Sequence, residues 1–231
     1  MSDKFLRTEM LIGKENLEKI GSKKIAVFGI GGVGGYVVEA LVRSGIKHID
    51  LYDNDIVSES NINRQIIATT KTIGKLKVDV MEERILEINP EVKINKFPIF
   101  YLPENADRYP LKNYDYIVDA IDTVKAKIEL IVRANKENIK IISSMGTGNK
   151  LNPTEIEVTD INKTEVCPLA KVIRKELRKQ GIKKLKVVYS KEEPKKIDNE
   201  NYENVPASIS FVPSVAGLII ASEVIKDIIN E

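Results

Sequence analysis

Three glycines, Gly29-x-Gly31-x-x-Gly34, stand directly after the apolar run Lys24-Ile25-Ala26-Val27-Phe28. In this spacing each has its own task. Gly29 makes the tight turn out of a strand, Gly31 lets the backbone approach a phosphate, and Gly34 lets the following helix pack close to the strand. Gly32 lies inside the same loop. A phosphate is well held there because the free N–H groups and the dipole of a helix N-terminus point at it. Asp53 ends a second apolar run, 19 residues after Gly34, where a carboxylate can hold ribose hydroxyls. The chemistry implied is nucleotide binding. On the loop alone NAD is the commoner ligand of such a pattern, with ATP as the alternative.

The residues beyond Asp53 reverse that order. Asn61, Arg64 and Gln65 lie in Ser60-Asn61-Ile62-Asn63-Arg64-Gln65, Lys77 in Gly74-Lys75-Leu76-Lys77, and Asp122 in Asp119-Ala120-Ile121-Asp122. Hydride transfer has no need of them. Splitting a triphosphate does, because two fixed cations, Arg64 and Lys77, can neutralise charge as pyrophosphate leaves. Asp122, at the end of a strand beside the nucleotide, can hold magnesium. Singly, each has an ordinary reading. An arginine after a turn is usually solvated, a lysine opening a helix usually lies at the surface and is disfavoured by the helix dipole, and an aspartate after a strand often caps a helix. Their order along one chain carries the weight.

An α/β scaffold must position these groups. The glycine loop lies between the strand at 24–28 and a helix over 33–43, with Val33, Val37, Val38, Leu41 and Val42 on one broad face. Residues 48–53 read as a second strand. A helix over 75–89 ends at Asn89-Pro90. Strands at 91–97, 115–119 and 140–143 alternate with a helix near 124–137. This alternation predicts a Rossmann-like, doubly wound, mostly parallel sheet. Beyond Gly148 follow a strand at 155–158, a basic amphipathic helix at 167–180, a strand at 186–189, a polar loop read as mobile at 192–207 and a terminal helix at 213–230. The expected organisation is an N-terminal arm and short helix (1–22), a Rossmann-like ATP-binding core (23–150) and an α+β extension (151–231) continuing the same domain.

With 42% apolar residues among 231, the chain can bury a sizeable core. Its net charge of +2, with both signs mixed, argues neither for nor against nucleic acid. The single cysteine, Cys167, excludes an intrachain disulfide and an all-cysteine zinc site. No zinc is expected, and a lone thiol suits a reducing cytoplasm. Cys167 precedes a helix, whose N-terminus can activate a thiol, though a lone cysteine is more often structural. The apolar tract Val215–Ser222 is too short to span a bilayer, so no membrane association is expected. His48, at the start of a strand, reads as a solvated edge residue.

The glycine loop, the Asp53-Asn54-Asp55 turn, Ser60-Asn61-x-x-Arg64-Gln65, Gly74-x-x-Lys77 and Asp119-x-x-Asp122 together resemble the ubiquitin-activating-type adenylating superfamily, which includes the molybdopterin- and thiamine-biosynthesis activators. The resemblance implies ATP as ligand. Asp53 would bind ribose, and Asn61, Arg64 and Lys77 the phosphates. Asp122 would sit at a Mg2+ site. Arg7, in Phe5-Leu6-Arg7-Thr8, would reach the ATP site of the partner subunit in a homodimer; its alternative is a disordered basic arm.

The second half is similar to one branch, the tRNA threonylcarbamoyladenosine dehydratases, so that the likeness covers about residues 5–229. It is carried by Asn152-Pro153-Thr154-Glu155-Ile156, residues 159–164, Pro168-Leu169-Ala170, residues 187–194 and residues 208–217. The short segment 192–207 departs from longer versions of the branch. The implied reaction adenylates the threonyl carboxylate of a modified adenosine in tRNA. The neighbouring ureido group then closes a ring and expels AMP, an intramolecular step that gains from proximity and needs no enzyme nucleophile. The densest basic cluster, Lys171, Arg174, Lys175, Arg178 and Lys179, followed by Lys183, Lys184 and Lys186, is the candidate tRNA surface, against the alternative of a solvated helix face. The competing substrate is the C-terminal glycine of a ubiquitin-like sulfur carrier, but its activators usually carry two Cys-x-x-Cys pairs, which this chain lacks. A cysteine desulfurase or other sulfur-transfer partner is a further expectation of the resemblance.

Overall fold

Residues Lys24–Phe28 form β1, buried along all but its first residue because strands flank both its edges and apolar side chains cover both its faces. Its alternate side chains enter different cores. Ile25 and Val27 pack with one cluster, to which the residues of helices 34–43, 77–88 and 211–229 belong. Ala26 and Phe28 pack with another, built from helix 124–136 and the segment 97–114. The structure, a computed structural model, describes residues 3–197 and 206–231.

In chain order the elements are α1 (Leu6–Ile12), α2 (Lys14–Ser22), β1, α3 (Gly34–Arg43), β2 (His48–Tyr52), α4 (Lys77–Ile88), β3 (Lys93–Phe97), β4 (Tyr116–Asp119), α5 (Val124–Lys136), β5 (Lys140–Ser144), β6 (Ile156–Asp160), α6 (Pro168–Lys179), β7 (Lys186–Ser190) and α7 (Phe211–Ile229). The seven strands form one sheet in the order β3-β2-β1-β4-β5-β7-β6. All neighbours are parallel except β6 with β7. The expected α/β class and mostly parallel sheet are therefore present.

Two details differ from expectation. The N-terminal segment contains two helices, separated at Gly13, whose φ of 85° suits glycine. The extension does not simply append its strands in order: β7 joins the parallel sheet beside β5, and the earlier β6 becomes the edge. Of the expected loop at 192–207, residues 198–205 lie outside the described residues.

Strand order reverses between β1 and β4, which opens a crevice outside their C-terminal ends. The helices α3, α4 and α5 begin at that end of the sheet, and α7 is brought there by close packing on α3. A Cβ on Gly217 would lie 2.4 Å from the Val33 carbonyl oxygen, so only glycine permits this approach. The consequence is that Pro213, near the start of α7, touches the glycine loop at Gly32.

Candidate nucleotide site

Gly29 leaves β1 with φ of 88°, and its N–H donates to the Tyr52 carbonyl at 2.8 Å. A Cβ here would sit 2.6 Å from the Ala120 oxygen, so the loops after β1 and β4 touch at backbone level. Gly34 opens α3, and a Cβ on it would lie 1.8 Å from the Gly29 oxygen. Both glycines thus do what their spacing predicts. Gly31 and Gly32 line the remaining cradle. A Cβ on Gly31 would lie 3.7 Å from Gln65 Nε2, and one on Gly32 would lie 3.3 Å from Pro213 Cβ and 3.4 Å from Arg64 Cγ. Below the loop, Phe28, Tyr52 and Phe97 stack with centroids 4.1 and 4.3 Å apart, bracing the ends of β1, β2 and β3.

Asp53 follows β2 directly. Its Oδ2 accepts the Ile30 N–H of the glycine loop at 2.6 Å, and its Oδ1 accepts the Asp55 N–H at 2.8 Å. Burial raises its pKa above the ordinary aspartate value, while the Lys77 charge and the Asp55 and Ile30 N–H groups oppose that rise. The carboxylate is therefore already tied to the loop it would serve.

Lys77 reaches the crevice by local pairing. Val57 N–H donates to Lys75 O, Gly74 N–H to Val57 O, and Lys77 N–H to Asp55 O at 3.0 Å. This doubled-back segment sets Lys77 at the first position of α4, where its Nζ lies 2.7 Å from Asp55 Oδ2. The ordinary reading of a helix-opening lysine as a surface group is wrong here, for the side chain is 7% exposed. Asn61 is buried and closes a short turn, its Oδ1 accepting the Ser58 N–H at 3.1 Å. Arg64 is half-buried, donating to Ser60 O and Asn63 Oδ1, both at 2.9 Å. Gln65 is buried beside Gly31, and its Oε1 has no hydrogen-bond partner among the described residues. An orphaned amide oxygen is costly; a donor on a bound nucleotide would satisfy it.

Asp122 is exposed in the turn between β4 and α5, with the Thr123 hydroxyl 3.3 Å from its Oδ1. It is not a helix cap: Thr123 holds that position. No group of three or more His, Cys, Asp or Glu side chains among the described residues could hold a metal unaided. One carboxylate still fits magnesium, which takes one or two from protein and the rest from phosphates and water.

Arg7 is not brought to this crevice within its own chain. It is exposed on α1, and nearby Lys4 donates to Asn89 Oδ1 at the far end of α4 from Lys77. The basic cluster on α6 also changes. Arg174 turns inward, donating to Ile161 O and to Thr164 O and Oγ1 at 2.8–3.2 Å, and so joins the turn that Thr164 Oγ1 already closes on Ile161 O. Lys179 pairs with Glu176 and Lys186 with Glu223 and Asp227, whereas Lys171, Lys175 and Arg178 are exposed, Arg178 contacting Asn162 Oδ1 at 3.3 Å. Cys167 is buried at the start of α6 among Met145, Ile173 and other apolar groups, which disfavours a nucleophilic role.

A protein-family model describing the ThiF family matches residues 5–231. The chain belongs to the ThiF family. A Bacillus subtilis tRNA threonylcarbamoyladenosine dehydratase is 42% identical over 245 residues, covering 100% of this chain and 96% of that protein. The crystal structure of Escherichia coli tRNA N6-threonylcarbamoyladenosine dehydratase, TcdA, in complex with AMP superimposes with a TM-score of 0.92 at 34% identity, covering 99% of this chain and 94% of that one. The same protein in complex with ATP gives a TM-score of 0.91, again at 34% identity and covering 99% of this chain and 94% of that one.

Some residues of this ThiF chain that shape the site carried no functional assignment in the sequence. Lys127 is wholly buried against Asp119. A signal existed: it occupies the same inward face of α5 as Leu130, Ile131 and Ala134, a place where an unpaired charge is intolerable. Asp55 as partner of Lys77, and Gly217 as the contact that delivers α7, gave no such signal.

Proposed function

We propose that this ThiF-family chain is an ATP-dependent tRNA threonylcarbamoyladenosine dehydratase. The observation that carries the substrate is the extent of the likeness to dehydratases: it runs through α6, β7 and α7 as well as the nucleotide half. In this reading Gly29, Gly31, Gly32 and Gly34 cradle ATP, Asp53 holds the ribose, Asn61, Arg64 and Lys77 receive the phosphates, and Gln65 lines the ATP site beside Gly31. Asp122 would hold the Mg2+ that screens polyphosphate charge. The threonyl carboxylate displaces pyrophosphate from the α-phosphorus. The ureido group then attacks the activated carbonyl, loses a proton and expels AMP, so the nucleoside leaves lighter by one water. Ring closure draws on proximity, and the protein's part is to orient and neutralise.

The finer parts of the proposal rest on placement. A homodimer would let Arg7 of one chain serve the other's crevice, since within its own chain it lies away from it. The tRNA would meet Lys171, Lys175 and Arg178 on α6. No helix among the described residues is long and apolar enough to cross a membrane, and a cytoplasmic location fits a tRNA substrate. A sulfur-transfer partner would have to reach the buried thiol of Cys167.

The test is incubation with ATP, magnesium and tRNA bearing the threonylcarbamoyl group, followed by measurement of AMP and of nucleoside mass. AMP together with the dehydrated nucleoside is expected. AMP formed only when a ubiquitin-like carrier protein is added would transfer the chain to the alternative substrate.

A further inference from the structure

Asp119 and Lys127 form an ion pair in which both side chains are 0% exposed, and nothing in the proposed chemistry uses either charge. Lys127 Nζ lies 2.8 Å from Asp119 Oδ2 and also donates to Ser143 Oγ at 3.2 Å and to the Ser144 carbonyl at 2.9 Å. Ser143 Oγ donates to the same Asp119 oxygen at 2.6 Å. The other oxygen, Oδ1, accepts the Ile121 N–H at 3.2 Å. The cluster therefore ties together the ends of β4 and β5 and the first turns of α5.

A buried ion pair is a poor stabiliser, because desolvation offsets most of the attraction and apolar substitutes often do as well. It is useful for fixing one conformation. What it fixes here is the turn Ala120–Thr123. That turn is held through Ile121 by Asp119, pressed at Ala120 by the backbone of Gly29, and continued into the helix that carries Lys127. Asp122 lies in the middle, exposed; among the described residues only the Thr123 hydroxyl donates to its carboxylate, at 3.3 Å. Its position is inherited from the turn.

We propose that the buried Asp119–Lys127–Ser143 cluster is a positioning device that holds the Ala120–Thr123 turn so that the Asp122 carboxylate faces a magnesium–polyphosphate ligand at the mouth of the glycine loop. The proposal rests on the nucleotide reading of the crevice. A purely structural cluster would govern folding and leave metal affinity alone.

The experiment measures Mn2+ binding by electron paramagnetic resonance in the presence of a non-hydrolysable ATP analogue, alongside thermal unfolding. The double variant Asp119→Asn/Lys127→Met removes both charges together, so no orphaned charge remains. It is expected to unfold cooperatively near the parent temperature and to lose Mn2+ affinity by about 10- to 100-fold, the usual effect of disturbing groups that orient a metal ligand. It should also retain analogue binding measured in EDTA. A folded double variant with parental Mn2+ affinity overturns the proposal. Should that variant fail to fold, Ser143→Ala, which keeps the ion pair and removes one donor, is read in the same way, and parental Mn2+ affinity there overturns it. Asp122→Ala separates the two levels. If it leaves Mn2+ affinity unchanged, the assignment of Asp122 fails, and the positioning role falls with it for that reason.

Discussion

Replacing Lys77 by methionine separates catalysis from stability. The Lys77 ammonium lies 2.7 Å from Asp55, but the Asp55 side chain is 56% exposed. With one partner in water, the pair contributes at most about 1 kcal/mol. Against it stand the desolvation of the ammonium and the dipole of α4, which opposes a cation at its first residue by about 0.3–1 kcal/mol. Methionine keeps the aliphatic stem in place, and Asp55 can hydrate. The expected change in unfolding free energy is therefore within about 1 kcal/mol of zero, or roughly 2–4 °C in Tm for a chain of this size. Catalysis should respond very differently. A preorganised donor aimed at developing charge is worth about 2.7–4 kcal/mol, so kcat for AMP release should fall about 10²- to 10³-fold. The assay is AMP formation with ATP and threonylcarbamoylated tRNA, paired with thermal unfolding with and without ATP. The rise in Tm on adding ATP should shrink in Lys77→Met, because weaker binding to the folded state stabilises it less. A folded variant within about fivefold of the parent kcat/KM would refute the phosphate role, since that is only about 1 kcal/mol of transition-state binding.

Gly34→Ala places a Cβ 1.8 Å from the Gly29 oxygen, so loop or helix must retreat by more than an ångström to reach even 3.0 Å. ATP affinity by calorimetry should fall about 100-fold, whereas Gly35→Ala, which meets only the Ile66 side chain at 3.2 Å, should change it little. Arg174→Ala should lower Tm, at about 1.5–3 kcal/mol for lost charged hydrogen bonds, without altering the salt dependence of tRNA binding. Changing Lys171 and Lys175 to Glu should leave Tm in place, weaken tRNA binding in filter assays and reduce the salt slope by about one per lost phosphate contact. Asp53 has a raised folded-state pKa, chiefly through burial. If ATP binds its ionised form, affinity is complete above that pKa and is lost as pH falls through it. The loss should therefore begin at higher pH than for an aspartate at its ordinary 3.8. Affinity titrations should show this acid limb in the parent and not in Asp53→Asn.

Much of this protein is local enough to read from sequence. The period of apolar residues around Val37, Leu41 and Val42 and the run Lys24–Phe28 depend on neighbours in the chain, so strand, loop and helix were legible there, as was the alternation that makes the sheet parallel. The glycine spacing was legible for the same reason, because a turn and a helix start are built from consecutive residues. Asn61, Arg64, Gln65, Lys77 and Asp122 could be chosen by type and order, but their states could not. Lys77 is buried because 55–57 pairs with 74–77, and Gln65 Oε1 is orphaned because the Asn61–Gln65 turn folds under Gly31. Arg174 looked like a member of a basic face until its guanidinium met the carbonyls of 161 and 164. The placement of β7 inside β6 and the crossing of α7 over α3 at Gly217 join segments far apart in the chain, and the buried Lys127, though only eight residues from Asp119, also reaches Ser143 and Ser144 on the next strand. Periodicity records which side of an element is apolar. Which distant group meets that side is decided only when the whole core closes and every buried charge must find its partner.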